Sequence, residues 1–240
     1  MTGTTPLKLS IGLAISLLYS GCYFGPCISA EGVVETRSIS VEPFQSLIAE
    51  GPMDIKVTPG AEYGVEVEGP SSWSEMVQAE VLGGVLTISM EGCLSGRGKL
   101  IVHVTAPSLA AVKLRGSGDV KGAIPSSSDA VLVELHGSGD MELEIASASV
   151  TADLRGSGDM VLKGATRSLV ARLHGSGDIR AAGLETEEAV AEVRGSGDIV
   201  VNARGSLSAS VHGSGDIRYH GDPHIAKREV RGSGDIRQAK

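Results

Sequence analysis

Leu154-Arg155-Gly156-Ser157-Gly158-Asp159-Met160 is followed nineteen residues later by Leu173-His174-Gly175-Ser176-Gly177-Asp178-Ile179. The tetrad Gly-Ser-Gly-Asp begins at Gly116, Gly137, Gly156, Gly175, Gly195, Gly213 and Gly232, at successive spacings of 21, 19, 19, 20, 18 and 19 residues. Repetition at such a period is the signature of a solenoid. Two residues before each tetrad stands Leu114, Leu135, Leu154, Leu173, Val193, Val211 or Val230. The residue after each Asp is Val120, Met141, Met160, Ile179, Ile199, Ile217 or Ile236. Four residues before the tetrad come Val112, Val133, Ala152, Ala171, Ala191 and Ala209, then Arg228. Alternate apolar positions on both sides of a Gly-rich turn describe one strand entering the turn and another leaving it. The expected fold is therefore all-β, a parallel β-helix or solenoid with one GSGD turn per coil of about 19 residues. In the last repeat, Lys227-Arg228-Glu229 places charge on what would be an exposed edge, which opposes edge-to-edge aggregation.

The 240-residue chain has one Trp, four Tyr and two Phe but 33 Gly. Small side chains must do the packing, which suits thin, stacked β-structure. So few aromatics disfavour stacking platforms for sugars or single-stranded nucleic acid, and a net charge of −8 disfavours nucleic acid generally. Residues 31–110 precede the array. Here Asp54-Ile55-Lys56-Val57-Thr58 alternates, Pro59-Gly60 turns, and Gly83-Gly84 joins two alternating runs as a hairpin. Residues 31–240 are read as a single elongated domain, with 111–240 holding the seven repeats. The N-terminal part is expected to cover one end.

Residues 1–30 read as an export signal, with Lys8 ahead of the apolar run Ile11 to Leu18. Two processing sites compete. Leu18-Tyr19-Ser20-Gly21-Cys22 resembles a lipobox, with Tyr19 as its departure, and would leave a lipid-bearing Cys22. The other site lies after Ala30. Processing before Cys22 leaves Cys27 and Cys93 able to pair in an oxidising compartment; processing after Ala30 leaves Cys93 alone.

Further landmarks lie ahead of the array. Val41-Glu42-Pro43-Phe44-Gln45-Ser46-Leu47 precedes Asp54-Ile55-Lys56-Val57, Gly84-Val85-Leu86-Thr87-Ile88 and Ala106-Pro107-Ser108-Leu109. Together with the GSGD turns, their order resembles the head GIN domain family of autotransporter-adhesin proteins, from about residue 34 to the end. The resemblance implies a right-handed parallel β-helix on exported envelope proteins, often lipoproteins, with adhesion as an inferred role. It brings no catalytic residues. This chain departs from the pattern in the length and regularity of its GSGD run.

Three constellations suggest chemistry. His136, Ser138 and Asp140 contain the residue types of a hydrolytic triad, but a triad needs its base pinned between nucleophile and acid, and tight-turn neighbours diverge. The set also recurs at His174 and His212. It is read as a turn. The Asp column echoes calcium-binding β-rolls, but period and Asp spacing differ, so backbone donors or the neighbouring Arg and His are expected to offset the stacked charge. A phosphate loop fails because no helix follows. No catalytic residue, cofactor or metal ligand is assigned.

The residue before each tetrad alternates: Arg115, His136, Arg155, His174, Arg194, His212, Arg231. Duplication of a two-repeat unit explains this order, as does a basic row facing acidic glycans or lipid phosphates. A coil holding two repeats would instead put Arg and His on opposite edges. The expected function is non-catalytic: an exported cell-envelope protein, secreted or attached through a lipid anchor to the outer membrane, acting by adhesin-like binding of envelope or host glycans or by scaffolding. Alternatives are a periplasmic lipoprotein that binds envelope polysaccharide or responds to envelope stress, and a β-helix polysaccharide lyase or hydrolase. The last needs converging acid, base and aromatic groups.

Overall fold

A computed structural model describes residues 27–125 and 129–239; residues 1–26 of the segment read as an export signal, Cys22 among them, lie outside these. In chain order the elements are β1 (Ile28–Ser29), β2 (Val34–Ile39), β3 (Ser46–Gly51), β4 (Asp54–Pro59), β5 (Gly64–Pro70), α1 (Ser71–Ser74), β6 (Gln78–Leu82), β7 (Val85–Ser89), β8 (Leu94–Ser95) and β9 (Ile101–Ala106). Then come β10 (Ala111–Gly116), β11 (Val120–Ile124), β12 (Ala130–Gly137), β13 (Met141–Gly156), β14 (Met160–Gly175), β15 (Ile179–Gly195), β16 (Ile199–Gly213), β17 (Ile217–His220), β18 (His224–Gly232) and β19 (Ile236–Gln238).

The repeats stack one per coil. Gly116 pairs with Gly137, Gly137 with Gly156, and Gly156 with Gly175, always in parallel register. A two-repeat coil would have put Gly116 beside Gly156. Each strand entering a turn contributes one residue to an inward column: Ile88, Ala49, Leu114, Leu135, Leu154, Leu173, Val193, Val211 and Val230. Strands leaving the turn supply Val102, Ile55, Val120, Met141, Met160, Ile179, Ile199, Ile217 and Ile236. All but Val230, on the terminal edge, are buried. Burying each such aliphatic side chain stabilises the rod by ~1.5–3 kcal/mol.

These columns extend beyond the GSGD array. β10 pairs with β12 on one side and with β3 on the other, and β3 pairs in turn with β7. Residues 46–59 and 85–106 thus form two further coils, with no break at residue 110. Their spatial order reverses their chain order, because 85–106 stacks outside 46–59. What covers the first coil is antiparallel: β5 lies against β9, β2 against β5, and β6 against β7. The β6–β7 turn uses Gly83 and Gly84 at φ of 60° and 77°, the backbone a two-residue hairpin requires. α1 brings Trp73 over this end, and its Nε1 donates to the Ile28 carbonyl at 3.0 Å. Cys27 and Cys93 form a disulfide. Arg37 donates from Nη2 to the carbonyls of Ser74 and Val77 and ties β2 to α1.

Among the described residues the opposite end carries no such cover. β18 is largely exposed. Arg228 occupies the inward column after Ala209, folds across the end, and donates to the carbonyl of Ile236 at 2.7 Å.

Candidate functional site

Both glycines of each tetrad are fixed by the rung beneath. Gly156 sits at φ of 138°, and a Cβ there would lie 2.1 Å from the Gly137 carbonyl oxygen; one on Gly158 would lie 1.9 Å from that of Gly139. The Gly137 oxygen accepts from the N–H groups of Ser157 and Gly158, at 3.0 and 3.3 Å. Side chains are excluded because a ladder carbonyl stands in their place.

The aspartates form a ladder with its own hydrogen bonds. Oδ1 of Asp119 accepts the N–H of Asp140, Asp140 that of Asp159, and Asp159 that of Asp178, at 3.1, 2.9 and 3.0 Å. The pattern continues through Asp198 and Asp216 to Asp235. It starts below the array, where Asp54 accepts the N–H of Asp119 at 3.1 Å. Backbone donors thus offset the stacked charge, as expected. The side-chain cations come from elsewhere than expected: from the strand leaving the turn, not from the Arg/His column. Arg180 bridges Oδ2 of Asp159 and Asp178, at 2.9 and 2.8 Å. Arg218 bridges Asp198 and Asp216, at 3.1 and 3.6 Å. Lys121 holds Asp119 and is itself pushed above the usual lysine range by that hydrogen bond. These contacts give the ladder a structural task. Among the described residues no group of His, Cys, Asp and Glu is arranged to hold a metal ion, and no hydrogen bond links His136, Ser138 and Asp140.

Arg115, His136, Arg155, His174, Arg194, His212 and Arg231 stand in register in one column along the rod. The four arginines are exposed and the three histidines half-buried. Arg115 pairs with Glu50, at 2.9 Å, on the rung beneath. The adjoining outward column runs Lys113, Glu134, Asp153, Arg172, Glu192, Ser210, Glu229 and partly neutralises the row. Asp153 holds Arg155 at 3.2 Å, and Glu229 holds Arg231 at 2.6 Å. Arg194 has no carboxylate partner among the described residues, and it lines a hollow of about 240 Å³ with His212, Lys227 and Arg231.

A larger concavity escaped the sequence reading. It lies along β4, β9, β11 and β13, has a volume of about 720 Å³, and is edged by four lysines, Lys56, Lys99, Lys121 and Lys163, and four carboxylates, Asp54, Asp119, Glu142 and Glu144. Gly122 is the only signal in the sequence that could have pointed to it. The glycine is itself exposed, although its register partners Val57 and Leu143 are buried.

The comparisons agree with this architecture. A family model described as "Putative auto-transporter adhesin, head GIN domain" matches residues 43–223. A crystal structure of a "putative adhesin" from Bacteroides fragilis superposes with a TM-score of 0.82 at 26% identity, over 88% of this chain and 100% of that one. Two structures from Parabacteroides distasonis share the fold at lower identity. One, described as a "putative lipid binding protein", has a TM-score of 0.71 at 23% identity, over 90% of this chain and 100% of its own. The other, a "putative adhesin", has a TM-score of 0.66 at 24% identity, over 89% and 100%. No curated protein matches the sequence. With the family model covering most of its length, the chain belongs to the head GIN domain family of auto-transporter adhesin type.

Proposed function

We propose that this protein is a non-catalytic, adhesin-like component of the cell envelope. It is tethered at its capped end through a lipid on Cys22 and binds acidic glycans along the Arg/His row. The observation that carries the reading is the register of that row: one basic or titratable side chain per rung, at ~4.8 Å intervals, suits a partner that itself repeats. Arg194 is the arginine of the row without a carboxylate partner among the described residues, and so the one most open to an acidic partner. The family description and the Bacteroides fragilis structure described as a "putative adhesin" on the same fold support the coarse role. The ladder supports the absence of catalysis, because its carboxylates are engaged by backbone and guanidinium groups.

The tether has its own support. Cys27 is disulfide-bonded, Ile28 and Ala30 donate backbone hydrogen bonds to Cys93 and Ser95, and Trp73 bonds Ile28. Processing after Ala30 would remove all of this, whereas processing before Cys22 keeps it. Mass spectrometry of the mature protein should find an acylated Cys22; an unmodified Glu31 terminus refutes the tether. Protease treatment of intact cells tests the role. Degradation of the rod on whole cells is expected, together with weaker binding to polygalacturonate in an Arg194→Glu/Arg231→Glu variant. Complete protection in intact cells with degradation after outer-membrane permeabilisation would make the protein a periplasmic binder instead.

A further inference from the structure

The serines of the seven tetrads, from Ser117 to Ser233, form one exposed file along the rod, one hydroxyl per rung. None of these hydroxyls makes a hydrogen bond among the described residues. The stack does not need them. In the coil of residues 46–59 the same position is Pro52, yet Gly51 pairs with Gly116, Asp54 accepts the N–H of Asp119, and the N–H of Gly118 donates to the Gly51 carbonyl at 3.3 Å. Proline supplies neither a hydroxyl nor an N–H. The glycines and the aspartate of each tetrad are fixed by the rung beneath; the serine is not. It is nonetheless the same in all seven repeats, while the outward strand positions on either side have diverged: Lys113, Glu134 and Asp153 before the turn, Lys121, Glu142 and Val161 after it.

The serine file divides two flanks of opposite charge. Before it, within the seven rungs, come the Arg/His row and the outward column beside it. They hold six cations, Arg115, Arg155, Arg194, Arg231, Lys113 and Arg172, against four carboxylates, Glu134, Asp153, Glu192 and Glu229. After it come the Asp ladder and the outward column beside that. They hold the seven aspartates and Glu142 against Lys121, Arg180, Arg218 and Arg237. Such an edge complements itself. A two-fold axis parallel to the rod lays the acidic flank of a second copy on this basic flank, and the reverse, at the same height on every rung. Serine then faces serine, where each hydroxyl both donates and accepts, and its small size lets the edges approach. A two-fold axis lying across the rod would set like flanks together. Arg194 has no carboxylate partner and Asp140 no cationic side-chain partner among the described residues, so each flank keeps charge to offer.

We propose that two copies of this chain pair side by side, parallel, along their GSGD edges. The strip is ~29 Å long over seven rungs and a few side chains wide, which makes the pair one of the small, transient class and sensitive to salt. Parallel pairing puts both capped ends on the same side. The pair covers the Arg/His row, so a second copy and a glycan exclude each other there. Pairing is measured with no glycan present, so failure of either reading leaves the other standing. Disulfide trapping on the purified mature protein, at about 0.1 mM and low ionic strength, tests the proposal. Ser138→Cys and Ser214→Cys lie near opposite ends of the file. Each is expected to form a covalent dimer with itself, and an equimolar mixture, with one variant carrying a size tag, to form few mixed dimers. The comparator is Ala165→Cys, at an exposed position half a coil from the tetrad. Adding Arg155→Glu/Arg194→Glu to Ser138→Cys should slow trapping about tenfold by setting like charges together. Trapping at Ser138→Cys no faster than at Ala165→Cys overturns the proposal. So does a predominance of mixed dimers, or a rate indifferent to the charge reversal.

Discussion

Asp159→Ala removes two contacts from the middle of the ladder. The N–H of Asp178 loses its acceptor, at 3.0 Å, which costs ~1–3 kcal/mol when the donor finds no other partner. Arg180 loses one of its two carboxylates, a half-exposed pair worth ~0–1 kcal/mol. Against this, each neighbouring Asp one rung away repels Asp159 by roughly 0.9 kcal/mol in a water-like dielectric, and that repulsion disappears. With a neighbour on each side the relief is ~1.8 kcal/mol, so the net expectation at mid-range is a loss of about 0.7 kcal/mol. Asp159→Asn keeps Oδ1 as an acceptor and removes the charge. Its weaker hydrogen bond and lost ion pair nearly cancel the relieved repulsion. At ~2–4 °C per kcal/mol for a chain of this size, thermal melts followed by circular dichroism should place the Ala variant ~1–3 °C below the parent. The Asn variant should stay within about 1 °C. Raising salt to about 1 M shortens the Debye length to ~3 Å. This screens the repulsion in the parent and should move Asn downward relative to it. If Asn falls as far as Ala, charge and not the backbone hydrogen bond holds the ladder, and the reasoning is wrong. A neutral Ala variant refutes it equally.

Gly177→Ala would put a Cβ 1.9 Å from the Gly158 carbonyl oxygen, so a loss of ~3 kcal/mol or more is expected in urea unfolding; a change under about 1 kcal/mol would show that the stack yields. Cys93→Ser opens a loop closed across a separation of 66 residues, worth ~4 kcal/mol by loop entropy, and limited proteolysis should then cut near the N-terminal end first. Glu142 and Glu229 are held below the usual carboxylate range by hydrogen bonds from Lys163 and Lys227. A carboxyl depressed in the folded state stabilises above its unfolded value, near 4.5, and that contribution disappears as pH falls through the folded value. Melting temperature should drop between pH 6 and pH 3, and less steeply in Lys163→Met/Lys227→Met; an unchanged slope would show that these pairs carry none of it.

The array was legible because each rung repeats the same demand. Leu154 and Leu173 must point inward together, and Gly156 and Gly175 must both clear a carbonyl. Residues 46–59 belong to the same rod but were not recognisable as rungs. Gly51-Pro52-Met53-Asp54 occupies a turn of the stack, with Gly51 paired to Gly116, yet only its first and last residues match the tetrad. The reversed order of the first two coils was equally hidden, because residues 85–106 stack against a segment that precedes them. The Arg/His row was visible as an alternation, but its neutralising partners lie one column away and depend on register. The larger concavity is lined by Gly122, and a single glycine in a sequence holding 33 of them does not announce itself.

The two ends of the rod differ in what they permit. The capped end is built once, from antiparallel strands, a disulfide and Trp73. The other end is a plain rung closed by one guanidinium, that of Arg228. Inserting two more repeats before this terminal rung would replace its contacts with the rung beneath by equivalent ones, preserve the alternation of Arg and His, and lengthen the molecule by ~9.6 Å. Length is thus a trait that unequal crossing-over between near-identical gene segments can tune in small, foldable increments. The reach of such a rod can change faster than its architecture.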